Sequence, residues 1–322
     1  MPTVLAFCFS LVFVAAGNAA TPAKTPAALP PQRAATLADV HYGDHERQVL
    51  DFWRAESARP APVVFHIHGG GWVTGDKARV SDLEQYLKAG ISVVSINYRY
   101  IQQAIAAGVK PPVHWPLVDA ARALQFVRSR AAEWNIDPRR IGATGGSAGA
   151  CSSLWLAFHD DLADPKSSDP IARQSTRLWC AAVNVAQTTL DPEQMKAWTP
   201  NSRYGGHAFG FWPDPANLKT RDTRFAEFFA AREQVLPWIQ EYSPMAHVTR
   251  DDPPIFLFYR TPPALGQDEK DPTHTANFGV KLHEKLRSVG VASELVYPGA
   301  PDVVHPQISD NLIAQLKSKA KK

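Results

Sequence analysis

The pattern in this chain with the clearest capacity for chemistry is a serine set among small residues, Gly145-Gly146-Ser147-Ala148-Gly149. It follows a run that reads as a strand (Arg140 to Gly145) and precedes one that reads as a helix (Ser147 to Phe158). That context is a nucleophile elbow. A serine at so sharp a turn is held in a strained backbone conformation, tolerated only where its neighbours lack bulky side chains. Gly145 and Gly149 supply that room. The hydroxyl then projects at a helix N-terminus, where the positive end of the dipole favours developing negative charge.

A second glycine run, His68-Gly69-Gly70-Gly71-Trp72, lies about eighty residues upstream. It too follows a strand-like run, Pro62 to His68. Backbone N–H groups of a glycine run point into a cavity unobstructed by side chains, which is what an oxyanion hole requires. Gly70 and Gly71 are the candidate donors, with Ala148 N–H as a third. Neither GxGxxG nor GxxxxGK[ST] occurs in the chain, so a phosphate-cradling loop is excluded.

These two loops need a scaffold that presents strand ends side by side. Apolar β-rich runs fall at 62–68, 91–97, 140–145, 178–185, 254–259 and 292–297. Helical spacing is read over 82–89, 117–132, 147–158 and 277–288. Strands that are apolar throughout and alternate with helices predict an α/β fold with a mostly parallel sheet covered on both faces. Between Gln187 and Tyr242 the alternation stops, and aromatic residues collect among Pro and Gly (Trp198, Tyr204, Phe209, Phe211, Trp212, Phe225, Phe228, Phe229, Trp238). This stretch reads as an insertion above the ligand crevice. Most of its aromatics are expected to form a satellite core, with one or two lining a pocket. Tyr204-Gly205-Gly206-His207 matches no catalytic pattern and reads as a turn.

HGGGW (68–72) and GGSAG (145–149), with NYR (97–99) and IDPRRIG (136–142) between them, resemble the α/β-hydrolase fold. More narrowly, the chain is similar to carboxylesterases related to hormone-sensitive lipase and to the bacterial feruloyl/acetyl-xylan esterase-like group. The resemblance covers about Val40 to Gln307 and is weak across 187–242. It implies ester hydrolysis through an acyl-enzyme and a Ser–Asp/Glu–His triad in that chain order.

Ser147 is then the nucleophile. A base after the last strand selects His305, although Pro298-Gly299-Ala300-Pro301-Asp302-Val303-Val304-His305 is a few residues longer than the Gly-Ala-Gly-His segment of the group. The loop after the preceding strand offers Asp268, Glu269 and Asp271. The group's Asp-x-x-x-Pro offset selects Asp271, in Asp271-Pro272-Thr273-His274, with Asp268 as runner-up. Trp72, next to the glycine loop, is expected either to wall the acyl or alcohol pocket or simply to pack. Three other outcomes stay open: arylformamidase chemistry, exopeptidase chemistry of the prolyl oligopeptidase type, and a non-catalytic binding module on the same scaffold.

Composition narrows the rest. The formal charge is +3, and taking away Lys317, Lys319, Lys321 and Lys322 leaves −1, so there is no basic face for nucleic acid. No cofactor is implied. His66 and His68 alternate on one strand without a third ligand at supporting spacing, and there is no HExxH or CxxC, so no metal is expected. Cys151 and Cys180 lie in apolar surroundings and read as small buried hydrophobes. Residues 1–20 carry no charge, and an apolar run from Val4 to Ala16 ends in Gly17-Asn18-Ala19-Ala20, as in a secretory signal cleaved near Ala19 or Ala20. The Met1-Pro2-Thr3 start lacks the usual Lys or Arg. The expected organisation is therefore 1–20 signal peptide, 21–38 Pro/Ala-rich linker and 39–322 hydrolase domain. The product is an exported protein with no membrane span in its mature chain. The expected partner is a small-molecule or carbohydrate ester, and the sequence says nothing of oligomeric state.

Overall fold

Eight strands form one sheet because most of them are apolar on both sides and must be covered on both faces. The computed structural model describes residues 32–212 and 220–318. The expected leader, most of the linker and three of the tail lysines lie outside these residues. In chain order the elements begin β1 (Leu37–His41), β2 (Val49–Trp53), β3 (Ala61–Ile67), α1 (Leu83–Lys88) and β4 (Ser92–Ile96). There follow α2 (Ile101–Ala106), α3 (His114–Ser129), α4 (Ala131–Trp134), β5 (Ile136–Gly146) and α5 (Ala148–Phe158). Next come β6 (Cys180–Asn184), α6 (Pro192–Trp198), α7 (Thr220–Ala230) and α8 (Arg232–Tyr242). The chain closes with β7 (Ile255–Phe258), α9 (Asn277–Ser288), β8 (Ser293–Val296) and α10 (Ile308–Lys317).

The strand order is β1-β2-β4-β3-β5-β6-β7-β8. β1 and β2 run antiparallel at one edge, and β4 through β8 are mutually parallel. This is the α/β-hydrolase arrangement. Side chains alternate across β3. Val63, Phe65 and Ile67 join the core formed with α3 and α5 (Leu117, Leu124, Leu154), whereas Val64 joins a second core with α1 and α10 (Leu83, Tyr86, Leu312, Leu316). Both faces of the strand being dry explains its unbroken apolar run.

Ala34–Lys322 forms one compact unit, and the described parts of the 187–242 stretch pack within it. More of its aromatics line a cavity than the one or two expected. Phe209 and Phe211 pack at a tilt against the buried Phe228 and Phe225 meets it edge-on, while Tyr204, Phe211, Trp212 and Phe225 line a cavity beside the glycine loop. Cys151 and Cys180 are buried and unbridged. Among the described residues no helix is long and apolar enough to cross a membrane.

Candidate active site

Ser147 sits between the end of β5 and the start of α5 with φ 53° and ψ −123°, a region in which a side chain other than glycine is strained. Its N–H donates to Asn184 O at the end of β6 (3.0 Å), which helps hold the turn. The flanking glycines are needed for space. A Cβ on Gly145 would stand 2.4 Å from Ile67 O, and one on Gly149 would stand 2.1 Å from the same oxygen. The glycine loop therefore crosses directly against the elbow, and Gly69 touches it too, with a Cβ position 2.7 Å from Gly146 O.

That loop is bent by Gly70 (φ +99°) and Gly71 (φ +61°), and closed by Val73 N–H and Thr74 N–H, which donate to Gly70 O (3.0 and 3.2 Å). The Asn97-Tyr98-Arg99 motif braces it. Tyr98 Oη donates to His68 O (2.9 Å), and its ring stacks on the His68 imidazole at 4.3 Å. Asn97 Oδ1 accepts from Lys77 N–H (2.7 Å), and its amide donates to Asp76 (2.8 Å). Arg99 clamps the buried Asp119, which fastens the motif to α3. His68 Nδ1–H donates to Gly69 O (2.8 Å), and burial pushes the ring's pKa down to about 4, so the imidazole stays neutral.

The ring that meets the serine is His274. Its Nε2 lies 3.0 Å from Ser147 Oγ, and its Nδ1 lies 2.8 Å from Asp271 Oδ2. A carboxylate only accepts, so Nδ1 carries the hydrogen and Nε2 presents its lone pair to the serine hydroxyl. Both residues stand on the β7–α9 loop, three positions apart in a turn closed by His274 N–H donating to Asp271 O (3.2 Å). His274 is one-third exposed and Asp271 about two-thirds, so the acid end of the chain is wet.

The loop is fastened from the insertion. Gln187 Nε2 donates to Thr273 O (2.7 Å), and Asn201 exchanges two hydrogen bonds with the Glu269 backbone. Asn277, buried at the start of α9, bonds Trp198 O, Thr199 and Ala264. None of Gln187, Asn201 or Asn277 stands out in the sequence. For His274 a signal does exist, because Asp271-x-x-His274 places a carboxylate and an imidazole one turn apart.

Two expectations are corrected by these positions. His305 does not reach Ser147: its Nδ1 pairs with Glu294 on β8 (2.8 Å), and Glu294 also accepts N–H bonds from Val304 and His305. The longer segment after β8 is thus pinned to the sheet edge. β8 lies three strands from β5 and β7 only two, which at roughly 4.8 Å per strand gives the β7 loop the shorter reach. Trp72 does not line the site either. With φ 59° it turns inward, is fully buried and donates its indole N–H to Ser152 Oγ (3.0 Å). Its neighbour Val73 lines, with Gly71, Tyr204, His207, Trp212 and Phe225, a cavity of about 210 Å³ on the outer side of the glycine loop's Gly71. Asp268, the alternative acid, is exposed.

The BD-FAE family model matches residues 50–286, a span that holds both glycine loops, Ser147, Asp271 and His274. The chain belongs to the BD-FAE family. Among curated proteins, this BD-FAE member is 29% identical over 232 residues to a probable carboxylic ester hydrolase, LipM, of Mycobacterium tuberculosis, covering 69% of this chain and 46% of LipM. It is 27% identical over 283 residues to the esterase LipQ of the same organism, covering 84% and 57%. The chain spans about half the length of these relatives. In architecture it is similar to a truncated carbohydrate esterase from gut microbiota (TM-score 0.61, 20% identity, 88% and 96% covered). It is also similar to an acetyl ester-xyloside bifunctional hydrolase from Caldicellulosiruptor lactoaceticus (TM-score 0.55, 24% identity, 77% and 76% covered).

Proposed function

We propose that this BD-FAE protein is a serine carboxylester hydrolase acting through an acyl-enzyme on small or carbohydrate-linked esters. The observation that carries the reading is the hydrogen-bonded chain Ser147–His274–Asp271 at a strained elbow. In the first half-reaction, Ser147 Oγ bonds to the ester carbonyl carbon while its proton passes to His274 Nε2. Asp271 holds the ring in the useful tautomer and stabilises the imidazolium. The N–H groups of Gly70, Gly71 and Ala148 receive the oxyanion. Collapse of the tetrahedral intermediate breaks the carbonyl–alkoxy bond, and His274 protonates the departing alcohol. Water then enters, gives a proton to His274 and attacks the acyl carbon, and the acid leaves as Ser147 recovers its proton.

The cavity beside Gly71 supports a small apolar or aromatic group on the ester, since Val73, Trp212 and Phe225 form its walls. Relatives named as ester hydrolases and the esterase-like architecture support the reaction class. The test is a substrate panel of p-nitrophenyl acetate, acetylated and feruloylated sugars, N-formylkynurenine and dipeptidyl anilides, run on the wild type and Ser147→Ala. Hydrolysis of the esters with labelling of Ser147 by a fluorophosphonate is expected. Full ester turnover by folded Ser147→Ala refutes the reading. Export after cleavage near Ala20 is part of the same proposal, and the mature N-terminus, expected near Thr21, checks it.

A further inference from the structure

We propose that His159, Glu241 and His247 form a site for one divalent transition-metal ion of the zinc type, stapling the far end of α5 to the end of α8. One donor atom from each of the three residues lies within 4.8 Å of the others. His159 Nε2 is already 3.1 Å from Glu241 Oε1, and the two imidazole centroids are 4.8 Å apart. Ligands about 2.0–2.2 Å from a tetrahedral zinc stand roughly 3.4 Å from one another, so side-chain adjustment closes the set without moving the backbone.

The surroundings orient the ligands as a metal site requires. His159 Nδ1 faces Asp160 O (2.9 Å) and Nε2 faces Glu241 Oε1, both acceptors; with Nδ1–H donating to the carbonyl, an ion that displaces the proton shared between Nε2 and Glu241 takes both of those atoms as ligands. His247 Nε2–H donates to Glu241 O (2.6 Å), which leaves Nδ1. Backbone carbonyls that fix the tautomer of a histidine are the usual outer partners of metal-bound imidazoles. The Trp155 ring supports His159 at 4.6 Å, and its indole N–H donates to the same Glu241 carbonyl (2.9 Å). Two imidazoles and one carboxylate select zinc, copper or nickel over magnesium or calcium. Glu241 is exposed and both histidines are half-buried, which leaves a fourth position for water.

The three ligands come from different segments: the residue capping α5, the last turn of α8, and the short 3₁₀ turn Pro244–His247. α5 begins beside Ser147 and is capped by His159 twelve residues on, so the site lies about 18 Å along the helix from the nucleophile. The ion would hold the insertion's last helix against the nucleophile helix and take no part in the reaction.

The test uses the full chain, freed of any histidine tag and stripped with EDTA, titrated with ZnCl2 and with CoCl2. Expected are saturation at one equivalent, a rise in Tm, and Co²⁺ visible bands of low-coordinate intensity. His159→Gln and His247→Gln should each weaken Zn²⁺ binding by at least about 100-fold, since losing a ligand costs more than losing an outer partner. Ester turnover should be unchanged in both. Glu241→Gln, at an exposed position, provides a third variant that does not threaten folding and should weaken binding in the same direction. Equal Zn²⁺ affinity in wild type and the His159→Gln/His247→Gln double variant overturns the proposal, as does the absence of saturable binding in wild type.

Discussion

Replacing His274 with alanine takes away the imidazole bonded to Ser147 Oγ, leaving water as the acceptor of the hydroxyl proton. Loss of a triad base costs about 10⁴- to 10⁶-fold in kcat, or about 5–8 kcal/mol of transition-state stabilisation. His305→Ala removes instead a half-buried contact to Glu294, which keeps its N–H bond from Val304. That change should cost about 1 kcal/mol of stability and leave kcat within about threefold. Asp271 is about two-thirds exposed, so water partly replaces it, and Asp271→Asn should lose about 10²- to 10⁴-fold, less than His274→Ala. The double variant should be no slower than His274→Ala alone, because the carboxylate acts only through the ring. Initial rates on p-nitrophenyl acetate, with near-ultraviolet circular dichroism to confirm folding, measure all four proteins. An inactive His305→Ala beside an active His274→Ala refutes the assignment of the base.

Three further outcomes follow from the same structure. Gly149→Ala places a methyl 2.1 Å from Ile67 O, a backbone atom that cannot yield, and should destabilise by about 3 kcal/mol or more in urea unfolding. Gln187→Leu frees Thr273 O and loosens the loop carrying Asp271 and His274; kcat should fall about tenfold with KM little changed, and Gln187→Glu, which lacks the donor, should behave alike. His66 and His68, both pushed down by burial to about 4 from an ordinary 6.5, stay neutral when folded, while the unfolded chain takes protons below about 6.5. Stability is therefore lost as pH falls from 6.5 towards 4, by up to about 3 kcal/mol for each ring. Urea midpoints across that range should show a shallower decline in His68→Gln than in wild type; identical slopes refute this.

Much of the fold could be read from local pattern. Apolar runs on both faces marked the six parallel strands, and Gly145 and Gly149 announced the elbow because only glycine fits against Ile67 O. β1 and β2 escaped notice, being five residues each at an antiparallel edge, without a helix between them to mark the boundary. The serine was legible from its own neighbourhood, whereas Asp271 was chosen over Asp268 only through the offset of the resembling group; the structure sets Asp271 against His274 and leaves Asp268 exposed. The base was not legible, because His274 and His305 are both loop histidines. What separates them is which loop reaches Ser147, and that depends on strand order and on Glu294 pinning the later loop. Spacing left Trp72 open between pocket wall and packing for a related reason: its left-handed backbone turns the indole inward, and no residue spacing records that sign of φ.

The neighbourly placement of Asp271 and His274 has an architectural consequence. A triad normally draws its proton-handling pair from two separate connections, so either one can fail alone. Under the proposed mechanism a single tether carries both, and neither the terminal strand nor the last helix supplies a reacting group. α10 still seats Leu312 and Leu316 in the core, so changes there should be read out as lost stability, whereas one disturbance of the tether should silence acid and base together.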